Sequence, residues 1–334
     1  MSEALRLARR GLGKTRPNPA VGCVLVKDDQ IIGRGWHHRA GQPHAEIEAL
    51  RSLKDPTMSR GTTAYVTLEP CSSQGRTPPC SKALAAAQVG RVVFGAIDPN
   101  PNHRGRALAE LRRAKIPVTP GVLAEACAAL NPEFHYFMST GLPWVVAKCG
   151  MSLDGRLTRP MGEPRFITSS DARKDAMKLR TRVDAILVGA GTVRADNPAL
   201  TVRGISGASQ PWRLVWAPRT PLATAAKVLT DRWAKKTLIL KQKTLRSAMM
   251  ALGQRGITSV LVEGGGHTLG QLFHEGLACE VVFYVSPLLA GGAVPAIGGR
   301  GASRLDAGWT LPAPKYTNIG GCLRISGRIS IGDK

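Results

Sequence analysis

The sequence predicts an α/β fold in two domains, each a layered sandwich of sheet and helices. Three observations carry this. Strand and helix patterns alternate along the chain, which calls for crossover connections. The chain has 334 residues, enough for two separate cores. The alternation breaks once, at STGLPW (139–144), where Gly141 and Pro143 interrupt it. The boundary is placed there, giving domains 1–141 and 142–334.

In the first domain, residues 2–10 have the spacing of a short amphipathic helix. AVGCVLV (20–26) and QIIGRGW (30–36) read as paired strands about Asp28 and Asp29. Pro43 marks a helix start, and HAEIEALRSL follows as the helix. Residues 62–69 form a strand, 81–88 a helix, 91–97 a strand, 105–114 a helix and 116–119 a short strand. In the second domain strands are expected at 144–149, 184–189, 212–216, 236–241, 258–263, 280–286 and 322–331. Helices are expected near 169–181, 245–254 and 267–275.

Apolar residues make up 43% of the chain, an ordinary globular share. No apolar run approaches the roughly 18 residues that span a bilayer. The N-terminal MSEALRLARRGLGKTRPNP lacks the apolar core and cleavage site of a signal peptide, so no membrane association is expected. Seven cysteines, odd in number and widely spread, argue against a disulfide framework and for a reducing, cytoplasmic setting. The net charge of +23 admits nucleic acid, an anionic membrane surface or a phosphorylated substrate. The 46 basic residues are dispersed, with few aromatics among them. That pattern favours a generally arginine-rich composition and a phosphate-bearing small molecule over nucleic acid.

Three pieces of sequence carry chemistry. Pro43-His44-Ala45-Glu46 opens a helix, Glu69-Pro70-Cys71 ends a strand, and Pro78-Pro79-Cys80 enters the next helix. One imidazole and two thiolates are a three-ligand zinc set with the fourth position left to water. The partial positive charge at a helix start favours the thiolate of Cys80. Glu46 shares the first helical turn with His44 and is placed to move protons without ligating the metal. A closed structural zinc needs a fourth donor, for which Cys23, His37 and His38 are the candidates nearby.

The order H-x-E, then P-C, resembles the cytidine deaminase-like superfamily. That pattern has two residues between its cysteines, whereas eight separate Cys71 from Cys80. The longer insert CSSQGRTPPC, with TRPNPAVGCVLV (15–26), AGQPHAE (40–46), TLEPCS (67–72) and DPNP (98–101), closely resembles the bifunctional deaminase/reductase family of riboflavin biosynthesis. The resemblance continues through the second domain. It implies a cytidine deaminase-like α/β/α sandwich followed by a dihydrofolate reductase-like α/β domain. It further implies a substrate that is a phosphoribosylamino-pyrimidinone, with one zinc ion on His44, Cys71 and Cys80 and with Glu46 as proton shuttle. Asn18, His37 and Arg76 are then substrate contacts. A homo-oligomer without nucleic acid is the expected assembly.

In the second domain, MSLDGR (151–156) is a turn after a strand, and DAILVGAGTVRADNPALTVR (184–203) runs from a buried strand into small residues. TSVLVEGGGHTLGQLF (258–273) is a strand, three glycines and a helix, whose first amides suit a pyrophosphate. The resemblance implies NADPH on Gly150, Phe166, Thr192, Asp196 and the segment Gly265, Gly266, His267, Thr268, Leu269, Gly270 and Gln271. It implies the phosphoribosyl substrate on Arg180, Leu200, Arg203 and Glu263. The chain departs from the family pattern in places. Ser73 stands where a histidine is usual, and His103 and Ala107 interrupt the glycine-rich run after DPNP. Phe166 replaces a tryptophan, Pro164 a serine, and Ala217 the place of an aspartate. Two rivals follow: a deaminase with an impaired reductase domain, and a nucleic-acid-editing zinc deaminase with an appended binding domain.

Overall fold

The computed structural model describes residues 1–73, 78–101, 103–157, 166–219, 221–304 and 307–330. Arg76 and Pro164 lie outside them. The chain divides into two compact units, Met1–Gly141 and Leu142–Lys334.

The first unit begins with α1 (Ser2–Ala8), β1 (Gly22–Lys27), β2 (Gln30–Trp36), α2 (Ala45–Arg51) and β3 (Thr63–Leu68). It continues with α3 (Cys80–Ala86), β4 (Arg91–Ala96), α4 (Arg106–Arg113), β5 (Val118–Thr119), α5 (Ala124–Ala128) and α6 (Pro132–Thr140). The sheet order is β2-β1-β3-β4-β5. β1 pairs antiparallel with β2 and β3, while β3, β4 and β5 run parallel. Parallel neighbours demand crossovers, and α3 and α4 supply them. The core is apolar on both sheet faces, with Leu25, Val66, Leu84, Phe94 and Leu111 essentially inaccessible. α2 lies directly on the β1–β2 hairpin. A Cβ built on Gly35 would stand 2.2 Å from Ala45 O and 2.3 Å from Ala49 N, so only glycine permits this approach.

The second unit begins with β6 (Trp144–Ser152), α7 (Ser170–Arg180), β7 (Ala185–Gly189), α8 (Ala190–Asp196), β8 (Trp212–Trp216), α9 (Lys227–Thr230) and β9 (Thr237–Leu240). It continues with α10 (Leu245–Gln254), β10 (Ser259–Val262), α11 (Gly266–His274), β11 (Glu280–Ser286), β12 (Lys315–Ile319) and β13 (Cys322–Arg328). Its eight-stranded sheet has the order β12-β13-β11-β6-β10-β7-β8-β9. The strands from β11 through β9 are parallel, and β12 and β13 close one edge as an antiparallel hairpin. The strands expected from sequence are present. The expected set did not include β12, α5, α6, α8 or α9. β12 reads KYTNI and is exposed along nearly its whole length, so it has no alternation to detect. No helix of the described residues is long and apolar enough to cross a membrane.

One buried cation organises the far side of the second sheet. Arg213 on β8 is 1% exposed. Its guanidinium meets both carboxylate oxygens of Asp231 (2.8 and 2.9 Å), Thr237 Oγ1 (3.0 Å), Val228 O (2.8 Å) and Ala199 O (3.0 Å). All five N–H donors of the group are used. We expect Arg213→Met to leave the Asp231 carboxylate without its cation and Ala199 O without its donor, at a cost of about 3 kcal/mol. Urea unfolding of the second unit, followed by tryptophan fluorescence, measures the loss.

Candidate functional site

In the first unit three chain segments converge. His44 is the N-cap of α2, Cys71 follows the end of β3, and Cys80 is the first residue of α3. His44 Nδ1 lies 3.5 Å from Cys71 Sγ and 3.4 Å from Cys80 Sγ. The three donor atoms all fall within 4.8 Å of one another. Ligands on one tetrahedral zinc, with Zn–S and Zn–N near 2.3 and 2.0 Å, would stand about 3.5 Å apart across the N···S edge. The donor set therefore fits zinc without rearrangement.

The protonation pattern agrees with a site built for a cation. Hydrogen bonds from Cys80 and His44 hold the Cys71 thiol down to about 4, while the same contact with Cys71, together with burial, pushes Cys80 well up. This reverses the expectation for Cys80. The helix-start amide of Cys80 donates to Cys71 Sγ at 3.3 Å, so the thiolate that it favours is Cys71. The pair retains one proton that a divalent ion would displace. Glu46, 3% exposed, sits in the first turn of α2, and burial raises its carboxyl to about 6.

His37 and Asn18 flank this corner. His37 is buried, with its ring edge-on to His44 at 5.1 Å between centroids. His37 Nδ1 is 3.0 Å from Pro43 O, which can only accept, so Nδ1 carries the proton. Nε2 then accepts from Asn18 Nδ2 at 3.1 Å. Burial lowers the pKa of His37 and keeps it neutral. His37 thus reaches a ligand only through Asn18, which is half-buried.

In the second unit a cavity of about 580 Å³ opens beside the parallel strands. Its wall includes Gly150, Phe166, Thr192, Asp196 and Gly265, five of the residues assigned to the cofactor. It also includes Arg180, Leu200, Arg203 and Glu263, the four assigned to the substrate. Arg180 and Glu263 turn out to be partners of each other. Arg180 Nε and Nη2 donate to Glu263 Oε1 and Oε2 at 2.8 and 2.7 Å, and Nη1 donates to Thr201 O at 2.7 Å. Burial pushes Glu263 up, but Arg180 and Lys148 more than offset it and hold the carboxyl at about 2. Arg203 is an exposed cation of the wall, as is Lys174, which pairs with Asp171.

The segment 265–271 divides. Gly265 alone reaches the cavity wall, and its N–H is donated to Thr192 Oγ1 at 3.2 Å. Gly266 and Gly270 are packing glycines. A Cβ on them would stand 2.1 Å from Pro295 O and 2.0 Å from Gly298 O. Thr268 and Leu269 are buried, Thr268 against Gly189 and Gly264. His267 is exposed and stacks on Trp216 at 6.1 Å, and Gln271 donates to Glu275 at 2.6 Å. Sequence reasoning missed Lys148, Thr168 and Tyr284, which also line the cavity. A signal for Lys148 was present, since a lysine inside the apolar run WVVAKC is out of place in a buried parallel strand.

Residues 1–96 match the family described as the cytidine and deoxycytidylate deaminase zinc-binding region, and residues 143–315 match the RibD C-terminal domain. The riboflavin biosynthesis protein RibD of Escherichia coli is 42% identical over 323 residues, covering 87% of this chain and 88% of that protein. This chain belongs to the RibD family. The RibD of Aquifex aeolicus is 36% identical and covers 96% of this chain and 95% of that one. The structure of Acinetobacter baumannii RibD superposes with a TM-score of 0.87 at 38% identity, covering 98% of this chain and 97% of that chain. A Thermotoga maritima structure, described as a diaminohydroxyphosphoribosylaminopyrimidine deaminase/5-amino-6-(5-phosphoribosylamino)uracil reductase, superposes with 0.84 at 30% identity over 98% and 97%. As a family member the chain is an enzyme of riboflavin biosynthesis, with a zinc-binding deaminase domain and a reductase domain. The groups these domains require are zinc and a nicotinamide cofactor.

Two outcomes follow from this geometry. Gly35→Ala is expected to lift the start of α2 and remove zinc, while Cys23→Ala leaves the metal in place; zinc per chain after dialysis checks both. The folded pKa of Glu263 lies below its unfolded value of about 4.3. The stability it confers is therefore complete above that value and disappears as pH falls through about 2. Glu263→Gln should cost about 3 kcal/mol at neutral pH. Its deficit against the unaltered chain should shrink between pH 5 and pH 2, as read from denaturant midpoints.

Proposed function

We propose that this chain converts 2,5-diamino-6-(5-phosphoribosylamino)pyrimidin-4(3H)-one into 5-amino-6-(5-phospho-D-ribitylamino)uracil in two steps. The first is hydrolytic deamination in the first unit; the second is NADPH-dependent reduction of the ribosyl group in the second. The observation that carries the reading is Glu46, a buried carboxylate in the same helical turn as an imidazole that faces two thiols.

Zinc held by His44, Cys71 and Cys80 supplies the acidity that makes water a nucleophile near neutral pH. Glu46, raised to about 6, accepts the proton of the attacking water and returns it to the departing amine. The ring carbon exchanges its bond to nitrogen for one to oxygen, and ammonia leaves. Neutral His37 fixes the Asn18 amide, whose oxygen is left to accept from an N–H of the pyrimidine. Arg76 is a further substrate contact by resemblance.

In the second unit NADPH, when bound, would supply a hydride to the ribosyl carbon that bears the amine, as that carbon's bond to the ring oxygen opens and the oxygen takes up a proton. Gly150, Phe166, Thr192, Asp196 and Gly265 form its side of the cavity. Arg203 takes the substrate phosphate, because its guanidinium is exposed while that of Arg180 is already paired. Arg180 acts by holding Glu263 and Thr201 in place. Lys148, a cation of the strand wall, is the candidate donor of the accompanying proton. NADPH over NADH, and a homo-oligomeric assembly acting without nucleic acid, follow from the resemblance in sequence.

The test is an assay with the diaminopyrimidinone phosphate, with and without NADPH. Ammonia release without NADPH, and NADPH oxidation only after it, is the expected course. Deamination with no NADPH oxidation would confine activity to the first unit and remove the reductase half. Salt-sensitive RNA binding with base conversion would replace the small-molecule reading altogether. Glu46→Gln is expected to retain zinc and lose deamination by at least about 100-fold; unchanged turnover takes Glu46 out of the mechanism.

A further inference from the structure

Lys148 stands on the cavity wall of the second unit and is not held there by hydrogen bonds. Its charge acts on Glu263, yet both carboxylate oxygens of Glu263 already accept from Arg180. Among the described residues no oxygen accepts a hydrogen bond from the Lys148 ammonium. What faces it is an aromatic ring. Lys148 Nζ lies 6.0 Å from the ring centroid of Tyr284, a second residue of the same wall. That is about the distance over which a ring face attracts a cation, and the flexible stem of a lysine can shorten it.

The ring is there by construction. β6 and β11 run parallel, with Val282 beside Lys148 and Tyr284 beside Gly150. Side chains two residues apart share a face of the sheet, so Lys148 and Tyr284 are diagonal neighbours, and Gly150 puts no side chain between them. Tyr284 is 1% exposed, and its O–H donates to Asp175 Oδ2 on α7 at 2.8 Å. Asp175 is in turn held by Arg324 Nη1 at 3.4 Å and Lys178 Nζ at 3.5 Å. Arg324 flanks Tyr284 from the other side, on β13. Burial and the Asp175 carboxylate push the phenol well above its usual range, so the ring stays neutral. With its one proton engaged, Tyr284 offers the cavity a ring face and not a donor.

We infer that Tyr284 is a positioning residue of the reductase: its ring, pinned by Asp175, holds the Lys148 ammonium at the cavity and leaves all of its N–H donors to the substrate. A lysine anchored on a carboxylate would give up a donor to that anchor. A π face attracts the ammonium without occupying any N–H. The inference rests on the reading of Lys148 as the proton donor. The oxygen released from the ribosyl carbon takes one proton from the ammonium, and the amine left behind regains one from water. Asp175 acts only through the ring.

The experiment is steady-state NADPH oxidation by the full-length, zinc-loaded chain, supplied with the deaminated phosphoribosylaminouracil. Tyr284→Phe is made first, then made again with partly and fully fluorinated phenylalanines at that position. Fluorine withdraws charge from the ring face and changes its shape little, so a purely structural role would not follow the series. Tyr284→Phe should keep kcat within about threefold, and full fluorination should lower it about tenfold further, with the partly fluorinated ring between. KM for NADPH should stay within about twofold throughout. A flat series, or a loss that appears in KM and not in kcat, overturns the inference. If Lys148→Met reduces as fast as the unaltered chain, the proton-donor reading falls and this inference with it. If Lys148→Met is slow and the fluorinated series is flat, only this inference falls.

Discussion

The first turn of α2 rests on β2 with nothing larger than a hydrogen atom between them. A side chain at Gly35 would collide with Ala45 O and Ala49 N, both backbone atoms that cannot swing aside. This contact fixes the height of the helix over the sheet, and so the position of His44 at its N-cap and Glu46 in its first turn. Cys71 arrives from the end of β3, which pairs with the same β1 that pairs with β2. Cys80 joins through its own amide on Cys71 Sγ. Hence the metal corner is as rigid as the hairpin beneath it. The second unit uses the same device elsewhere. Gly266 and Gly270 let α11 sit directly on the backbone of Pro295 and Gly298, which sets where Gly265 meets the cavity.

Much of this was legible in the sequence because the signals are local. Alternation and turn residues located nearly every long element. The metal ligands carried themselves, since a histidine and two cysteines each beside a proline at element ends are hard to explain as core. What stayed hidden depends on partners distant in sequence. Nothing in the residues around Arg180 says that Glu263, on another strand end, will neutralise it. Nothing around the EGGG turn says that two of the helix glycines serve the chain at 295–298 and not a phosphate. The preference for the Cys71 thiolate likewise depends on the Cys80 thiol, His44 and the Cys80 amide all meeting that sulfur, a matter of tertiary geometry.

The two sites prepare their charges in opposite ways. In the deaminase corner, burial raises the Glu46 carboxyl to about 6, within reach of neutrality. In the reductase cavity the buried carboxylate is held ionised by a two-pronged arginine, far from any titration in the physiological range. A site that must move protons repeatedly gains from the first arrangement. A preset ion pair of the second kind does not reorganise and keeps the wall around it in a fixed pose.

The substitutions that set this chain apart in its second unit weigh less once located. Phe166 lies on the cavity wall, 55% exposed, with the Arg173 guanidinium 4.5 Å above its ring. Arg173 is itself anchored on Thr168 O at 2.6 Å, so the ring is held from one side and keeps an aromatic face for a ligand. A phenylalanine in place of tryptophan shortens that face without abolishing it. Ala217 is buried, its N–H donated to Leu240 O at 2.9 Å, and it is not among the residues of the cavity wall. Losing an aspartate there removes no charge from the site. The groups that do face the cavity, from Gly150 through Arg203 to Glu263, form one wall in which neither Phe166 nor Ala217 displaces a charged group.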